Sequence, residues 1–474
     1  MSIKQKATSG FIWNAIEKFS SHLISLIIGV SLARILTPED FGLMGMLVIF
    51  TSAAGTFIDS GLGSGLIQKA NKTDRDYSSV FIFNFIVAIA MYLLLFFLAP
   101  LVAEFYEEER LTNLLRIISL NLLIGSFVSI QRLKLNIDLN FKALAKVNLS
   151  SNVLSGIIAI ILANQGLGYW ALVTKLLLES IFNLIFLLIL ANWKYSFLFS
   201  KESFQELFSF GYKLLFAGLY AQAFRNVYNV FIGKYYSCGN LGYYTRAVAL
   251  TELVSGTVTS VIEQVTYPLF SSLKNEQARM ISVFSRVIRM ASFINFPSIV
   301  LLSVLAEPIV LILLTDKWVE VVPLLQWMAF GRIFYPMSAL NLNLLNANGR
   351  SDLFLKVDLS KMPIMIVAML ITMPIGIKAM IIGQVITGSL AYFINAFMPG
   401  KLFGFGAIKQ LNEIKYIALN SLIMGLVVVL SISLLDSLWL KLITGLFLGV
   451  STYFLLSYKQ KSVELYELLS IVKR

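Results

Sequence analysis

The chain has 474 residues, 58% of them apolar and only 14% charged, with a mean hydropathy of +0.80, which describes a membrane protein and excludes a soluble catalytic domain. Its net charge of +12 would suit nucleic acid, but the basic residues gather in every second loop, as cytoplasmic loops of membrane proteins do, so no nucleic-acid partner is expected. A single cysteine, Cys238, and a single histidine, His22, exclude a disulfide framework and a Cys- or His-rich metal centre.

A spanning helix needs about 20 apolar residues. Apolar runs near 11–35, 41–66, 79–103, 111–133, 143–164, 168–192, 208–234, 241–270, 287–314, 321–346, 357–375, 377–399, 415–435 and 438–457 predict an all-α integral membrane protein of about 14 transmembrane helices. Glu17 and Lys18 interrupt the first run, so a secretory signal is not expected there. The loops sort by charge. One set holds Lys4/Lys6, Lys69/Lys72/Arg75, Arg132/Lys134/Lys142, Lys194/Lys201, Lys274/Arg279, Arg350/Lys356, Lys401/Lys409 and Lys459/Lys461; the alternate set holds Glu39/Asp40, Glu104 to Glu109, Asp316 and Asp436. This alternation puts both termini in the cytoplasm and makes the number of spans even.

The order of segments repeats. Lys146-Val147-Asn148-Leu149-Ser150 recurs as Lys356-Val357-Asp358-Leu359-Ser360, and a shift of 200 lays Arg34, Gly42 and Ser60 onto Lys234, Gly242 and Ser260. An N-terminal lobe of six spans over 1–200, a second over 201–405, and a last piece of two spans with a cytoplasmic tail over 406–474 follow from it. An even number of spans per copy makes the copies parallel, giving two pseudo-symmetric six-helix lobes around a central cavity, the plan of a transporter. Between the lobes, Phe197, Phe199, Phe204, Leu207 and Phe208 alternate with polar residues, which predicts a helix lying on the cytoplasmic surface or a solvated linker. The tail from Lys459 to Arg474 reads the same way.

An ionisable side chain at mid-membrane costs about 2.5–3.5 kcal/mol on insertion scales, so each needs a cavity or a partner. This chain keeps Glu17, Lys18, Asp59, Arg116, Lys175, Glu179, Lys213, Arg225, Arg246, Glu252, Glu263 and Arg332 in or beside its spans. Helical spacing groups them with other polar residues: Asn14, Lys18, Ser21 and Ser25 in the first span; Gln222, Arg225, Asn226 and Asn229 in the seventh; Thr251, Ser255, Thr259 and Glu263 in the eighth; Ser52 and Thr56 beside Asp59 in the second. Two readings stand. One is a water-filled, net-basic cavity; the other is interhelical hydrogen bonding with local pairs such as Lys175 and Glu179 at i,i+4. A basic cavity binds phosphate or carboxylate strongly, so a diphosphate-bearing substrate suits it better than an organic cation. The acids Glu17, Asp59, Glu179 and Glu263 pair with cations at rest or bind a coupling ion, Na⁺ or H⁺.

No phosphate-binding loop is present, so ATP hydrolysis is not expected. Asp74-Arg75-Asp76 has the form of an Asp-x-Asp metal site but sits in a short loop with no nucleotide-binding domain around it. Gly61-Leu62-Gly63-Ser64-Gly65 marks a helix end or hinge. No catalytic residue, metal or cofactor follows from these motifs.

The run Leu32-Ala33-Arg34-Ile35-Leu36-Thr37-Pro38-Glu39-Asp40-Phe41-Gly42-Leu43, followed by Phe57-Ile58-Asp59-Ser60-Gly61-Leu62 and Ile67-Gln68, resembles Wzx-type polysaccharide flippases of lipopolysaccharide and exopolysaccharide biosynthesis, within the multidrug/oligosaccharidyl-lipid/polysaccharide superfamily. The resemblance implies a carrier, not an enzyme, in the bacterial cytoplasmic (inner) membrane. Its substrate would be an undecaprenyl-diphosphate-linked oligosaccharide, moved to the periplasmic leaflet by alternating access while the lipid tail stays among membrane lipids. It further implies that basic cavity residues hold the diphosphate, and that a polysaccharide polymerase and chain-length machinery act nearby. Lys18, Arg225, Arg246 and Arg332 are the residues expected in that role, with Lys175 a weaker candidate because Glu179 neutralises it. A cation-coupled multidrug exporter of the same superfamily is the alternative, and a membrane glycan polymerase or acyltransferase a more distant one.

Overall fold

The computed structural model describes residues 3–59, 61–69, 71–190 and 198–472, and no strand occurs among them. They divide into two compact units, Met1–Gly242 and Tyr243–Arg474. The first holds α1 (Ile3–Ile35), α2 (Pro38–Asp59), α3 (Leu62–Gln68), α4 (Asp74–Tyr106), α5 (Arg110–Ile118), α6 (Leu120–Ile137), α7 (Phe141–Asn164), α8 (Tyr169–Leu190) and α9 (Lys201–Tyr235). Helix α10 (Cys238–Ser272) begins in the first unit and continues in the second. There follow α11 (Gln277–Val304), α12 (Ala306–Leu314), α13 (Val321–Gly331), α14 (Tyr335–Ala347), α15 (Ser351–Ser360), α16 (Met362–Thr372), α17 (Ile377–Phe403), α18 (Ala407–Ile432), α19 (Leu438–Lys459) and α20 (Val463–Val472).

Each expected span coincides with one helix or with a broken pair. Nine stretches among the described residues are long and apolar enough to cross a membrane. The other five expected spans are α1, α9 and α10, which carry charges along their lengths, and the pairs α13/α14 and α15/α16, each half of which is too short alone.

Local chemistry sets the breaks. Thr37 and Asp40 form a reciprocal cap at the start of α2: Asp40 accepts from the Thr37 N–H at 2.8 Å and the Thr37 hydroxyl accepts from the Asp40 N–H at 3.3 Å. At the start of α10, Ser237 accepts from the Asn240 N–H at 3.1 Å. Helix α2 stops at Asp59 because Gly61 has φ 70°, a left-handed conformation in which a Cβ is disfavoured, and its Cα lies so close to Gly211 that a Cβ would fall 2.6 Å from the Gly211 carbonyl oxygen. At the α13/α14 break the Arg332 carbonyl accepts from the Tyr335 N–H at 3.2 Å, and side chains of neighbouring helices supply further donors to it and to the Ile333 carbonyl. Asn295 of α11 donates to both, at 3.2 and 2.9 Å, and Ser255 of α10 donates to the first at 3.3 Å. Irregular backbone at membrane depth persists where such partners replace water.

Helix α9 is continuous from Lys201, so Phe204, Leu207 and Phe208 form its first turns and not a separate surface helix. They pack on Leu62, Leu66, Tyr77 and Phe81, with Phe83 and Phe204 ring centroids 5.0 Å apart. Apolar alternation at this point serves helix packing. Phe197 and Lys194 lie outside the described residues. The tail is helical as α20, and Leu465, 2% exposed, joins the core of Met280, Phe284 and Ile288. Arg286 meets Glu467 at 3.0 Å, and Arg289 meets Glu464 at 3.0 Å and also Glu413, fastening α20 to α11 and α18.

Candidate functional site

In the first unit a relay of amides and charges links four helices, α1, α6, α7 and α8. Arg132, on α6, donates from Nη2 to Asn148 Oδ1 of α7 at 2.6 Å and to Asn183 Oδ1 of α8 at 3.2 Å. Asn148 Nδ2 donates to Glu17 Oε1 of α1 at 2.8 Å, and Asn183 Nδ2 donates to the Glu179 carbonyl at 2.8 Å. Lys175 meets Glu179 at 2.9 Å, one helical turn away. Glu17 and Glu179 therefore lie within electrostatic range of Arg132, a cation that the loop pattern assigns to a cytoplasmic connection, and Lys175 pairs with Glu179. Amides do this work well inside a membrane, because one Asn accepts and donates at once and needs no counter-charge.

Beside the relay, Asp59, Asn84, Ser129, Arg132, Ser180 and Asn183 line a pocket of about 560 Å³. Asp59 is the last residue of α2, at the helix break, and is exposed toward this space. It lies within electrostatic range of Arg132, which also feels Glu17 and Glu179.

Lys18 and Arg225 stand apart from the relay. Lys18 is half-buried and Arg225 exposed, and no ion pair joins either to an acid among the described residues. Arg225 lies about 15 Å along α9 from Tyr235, at 1.5 Å per residue, too deep for its side chain to leave the membrane easily at that end. Their stripes are partly spent on helix contacts: Asn152 donates to Ser25 at 2.9 Å, and Asn226 donates to Ser52 at 3.4 Å. The side chains of Asn14 and Lys213 lie outside the described residues.

In the second unit Arg332 sits at the α13/α14 break, paired with Glu252 of α10 at 2.7 Å and stacked over Tyr335 at 4.6 Å. Arg246 lies over the Trp318 ring at 5.9 Å. Glu263 is exposed on α10, and its carbonyl accepts from Asn343 at 3.4 Å. The hydroxyls of Thr251 and Thr259 bond back to their own helix, at Ala247 and Ser255, so most of that polar face is structural. Sequence reasoning missed Arg132, Asn148, Asn183 and Asn84. The one signal available was Asn148's place in the repeated Lys-Val-Asn-Leu-Ser motif.

A family model described as "Polysaccharide biosynthesis protein" matches residues 31–323. Teichuronic acid biosynthesis protein TuaB of Bacillus subtilis (strain 168) is 27% identical over 356 residues, covering 74% of this chain and 73% of its own. Lipopolysaccharide biosynthesis protein WzxC of Escherichia coli (strain K12) is 21% identical over 405 residues, covering 83% and 82%. Among solved structures, lipid II flippase MurJ in an inward closed conformation superposes with a TM-score of 0.78 at 18% identity, over 94% of this chain and 98% of its own. An inward-facing multidrug resistance MATE family transporter of the MOP superfamily gives 0.64 at 16% identity, over 81% and 94%. These likenesses establish the fold, a multi-pass helical membrane architecture of the MOP type. With its motif-bearing first half and the start of its second half inside the matched region, this chain belongs to the polysaccharide biosynthesis protein family.

Proposed function

We propose that the protein is a carrier that moves an undecaprenyl-diphosphate-linked oligosaccharide from the cytoplasmic to the periplasmic leaflet of the bacterial inner membrane by alternating access. The observation that carries this reading is the state of Lys18 and Arg225. Both are cations within membrane helices, and neither has an acid partner among the described residues. A diphosphate satisfies two such cations, and its binding offsets the unfavourable free energy of holding them there. In the second unit Arg246 is a separate candidate for contact with an anionic group. Arg332 and Lys175 already face Glu252 and Glu179, so their parts are positional at rest. The family membership and the relatives' named roles in teichuronic acid and lipopolysaccharide biosynthesis support the substrate class. The loop charges support cytoplasmic termini.

The test is transfer in proteoliposomes, with undecaprenyl-diphosphate carrying a short oligosaccharide and accessibility scored on the far leaflet. Protein-dependent transfer that is lost in Lys18→Ala/Arg225→Ala and retained in Lys175→Ala supports the assignment. Transfer that survives the double substitution rejects the site. No transfer of any glycan, under an imposed Na⁺ or proton gradient, rejects the flippase reading.

A further inference from the structure

We infer that the pocket around Arg132 in the first unit is a saccharide subsite, taking an uncharged, hydroxyl-rich sugar ring of the translocated headgroup. The inference rests on the flippase reading and adds to it a place where sugar, as distinct from diphosphate, is recognised.

The chemistry of the walls selects the ligand. The pocket, about 560 Å³, is of the size of small-molecule sites, about 300–1,000 Å³. It contains one carboxylate, Asp59, and one guanidinium, Arg132, within electrostatic range of each other. A phosphate entering this space meets Asp59, and a metal cation meets Arg132, so each is opposed by a like charge in the wall. What remains is directional hydrogen bonding. A vicinal diol presents donors and acceptors at fixed spacing: a carboxylate accepts from two hydroxyls, while guanidinium and amide nitrogens donate to their oxygens.

The capacity for such bonds is unspent on two sides of the pocket. Asn84 is 4% exposed, and its Oδ1 has no hydrogen-bond partner. Arg132 commits Nη2 to Asn148 and Asn183, while its Nε is buried without a partner. Buried polar atoms are nearly always satisfied, so two orphans lining one cavity point to a ligand that completes them. Asp59 gives a third indication. It stands at the C-terminal end of α2, where the helix dipole disfavours an anion, so its placement is not explained by helix stability. Asn183, 8% exposed, has both its amide groups engaged within the protein and acts as a positioning residue that fixes Arg132. Gly61 and Gly63 bring bare backbone to the wall beside Asp59.

The test uses the full-length protein in detergent, titrated with the methyl glycosides of glucose, galactose and N-acetylglucosamine and, separately, with inorganic pyrophosphate. Binding is read by saturation-transfer NMR and by the shift of the thermal unfolding midpoint. At least one glycoside is expected to bind. Asp59→Asn and Asn84→Ala each weaken it about tenfold, the loss that accompanies one hydrogen bond to a charged or buried group. Asn84→Ser serves as a milder variant should Asn84→Ala fold poorly, and pyrophosphate binding stays as it was in Asp59→Asn. The inference is overturned by a panel in which no glycoside binds, by binding indifferent to both positions, or by an Asp59-dependent response to Na⁺ in place of sugar. The flip assay separates the two readings. Transfer with unchanged rate and sugar preference in Asp59→Asn removes the saccharide subsite and leaves the flippase; glycoside binding without any transfer does the reverse.

Discussion

Gly42 and Gly242 make the same contact in reverse. A Cβ on Gly42 would fall 1.8 Å from the carbonyl oxygen of Cys238, the first residue of α10, and a Cβ on Gly242 would fall 1.8 Å from that of Pro38, the first residue of α2. Pro38 and Cys238 are themselves 200 apart, as are the capping pairs Thr37/Asp40 and Ser237/Asn240. The repeated segment therefore meets its own copy about a local two-fold, backbone against backbone, and Cys238 Sγ donates to the Glu39 carbonyl at 3.2 Å in the same place. Small residues are what allow membrane helices to approach so closely. Gly42→Ala and Gly242→Ala are each expected to destabilise the protein by about 1–3 kcal/mol, because main chain cannot yield as a side chain does. Gly55→Ala, on the same helix with nothing within 4 Å, is the neutral control. Thermal unfolding of the three variants in detergent decides the matter, and equal midpoints would remove the contact from any account of stability.

Acid should loosen the loop after α4. Arg110 grips Glu108 with Nε on Oε1 and Nη2 on Oε2, both at 2.7 Å, and this holds the Glu108 carboxyl below the usual carboxylate range against the opposing effect of its partial burial. The hydrogen bond and charge of Lys234, at 2.7 Å, do the same for Glu107. A carboxyl whose value is depressed on folding contributes stability above its unfolded value, near 4.5, and loses it as pH falls through the folded value. The wild-type unfolding midpoint should therefore drop more steeply between pH 5 and pH 3 than that of Glu108→Gln, which starts lower at neutral pH. Parallel acid profiles would show the pair to be inert.

The break at Arg332 should depend on Asn295 more than on the ion pair. Glu252 is about half exposed, so Glu252→Gln is expected to destabilise by about 1 kcal/mol or less. Asn295→Leu withdraws a donor from two carbonyls at once and is expected to destabilise by about 2 kcal/mol or more. Reversal of that order in thermal unfolding would assign the break to electrostatics.

The tail helix is expected to be integral to the second unit. Arg289 bonds Glu464 and Glu413, and Leu465 is buried beneath them. Leu465→Ala should destabilise by about 2 kcal/mol or more, as for other buried leucines. Glu464→Arg, which sets two guanidinium groups face to face, should release α20 to proteolysis while the remainder stays intact. Resistance of α20 in that variant would leave its apolar face as the sole anchor.

The apolar helices were legible because hydropathy is a property of composition along the chain. So was the Lys175–Glu179 pair, since 3.6 residues per turn place i and i+4 on one face. The helix end at Gly61 was legible from the glycine run. The Arg332–Glu252 pair, 80 residues apart, was not, because no periodicity links positions on different helices. Arg132 was misfiled for a physical reason: near a span end, the loop-charge rule counts it as an interfacial cation, and only the fold reveals Asn148 and Asn183 closing around it. Asparagines in apolar spans carry no charge to draw attention, yet Asn148 joins Arg132 to Glu17 and Asn183 also accepts from Arg132.

The helices that bear Lys18 and Arg225 also have a history in time. Helix α9 packs on α2, α3 and α4, all made before it, so when it leaves the ribosome a docking surface already awaits its polar stripe. Helix α1 packs chiefly on α7, more than a hundred residues downstream, and has no such surface when it emerges. Glu17 must wait for Asn148 to be synthesised before its hydrogen bond exists. Until then the first helix is poorly suited to lipid, and the interval between its emergence and that of α7 is the stage at which membrane insertion of this chain is most exposed to failure.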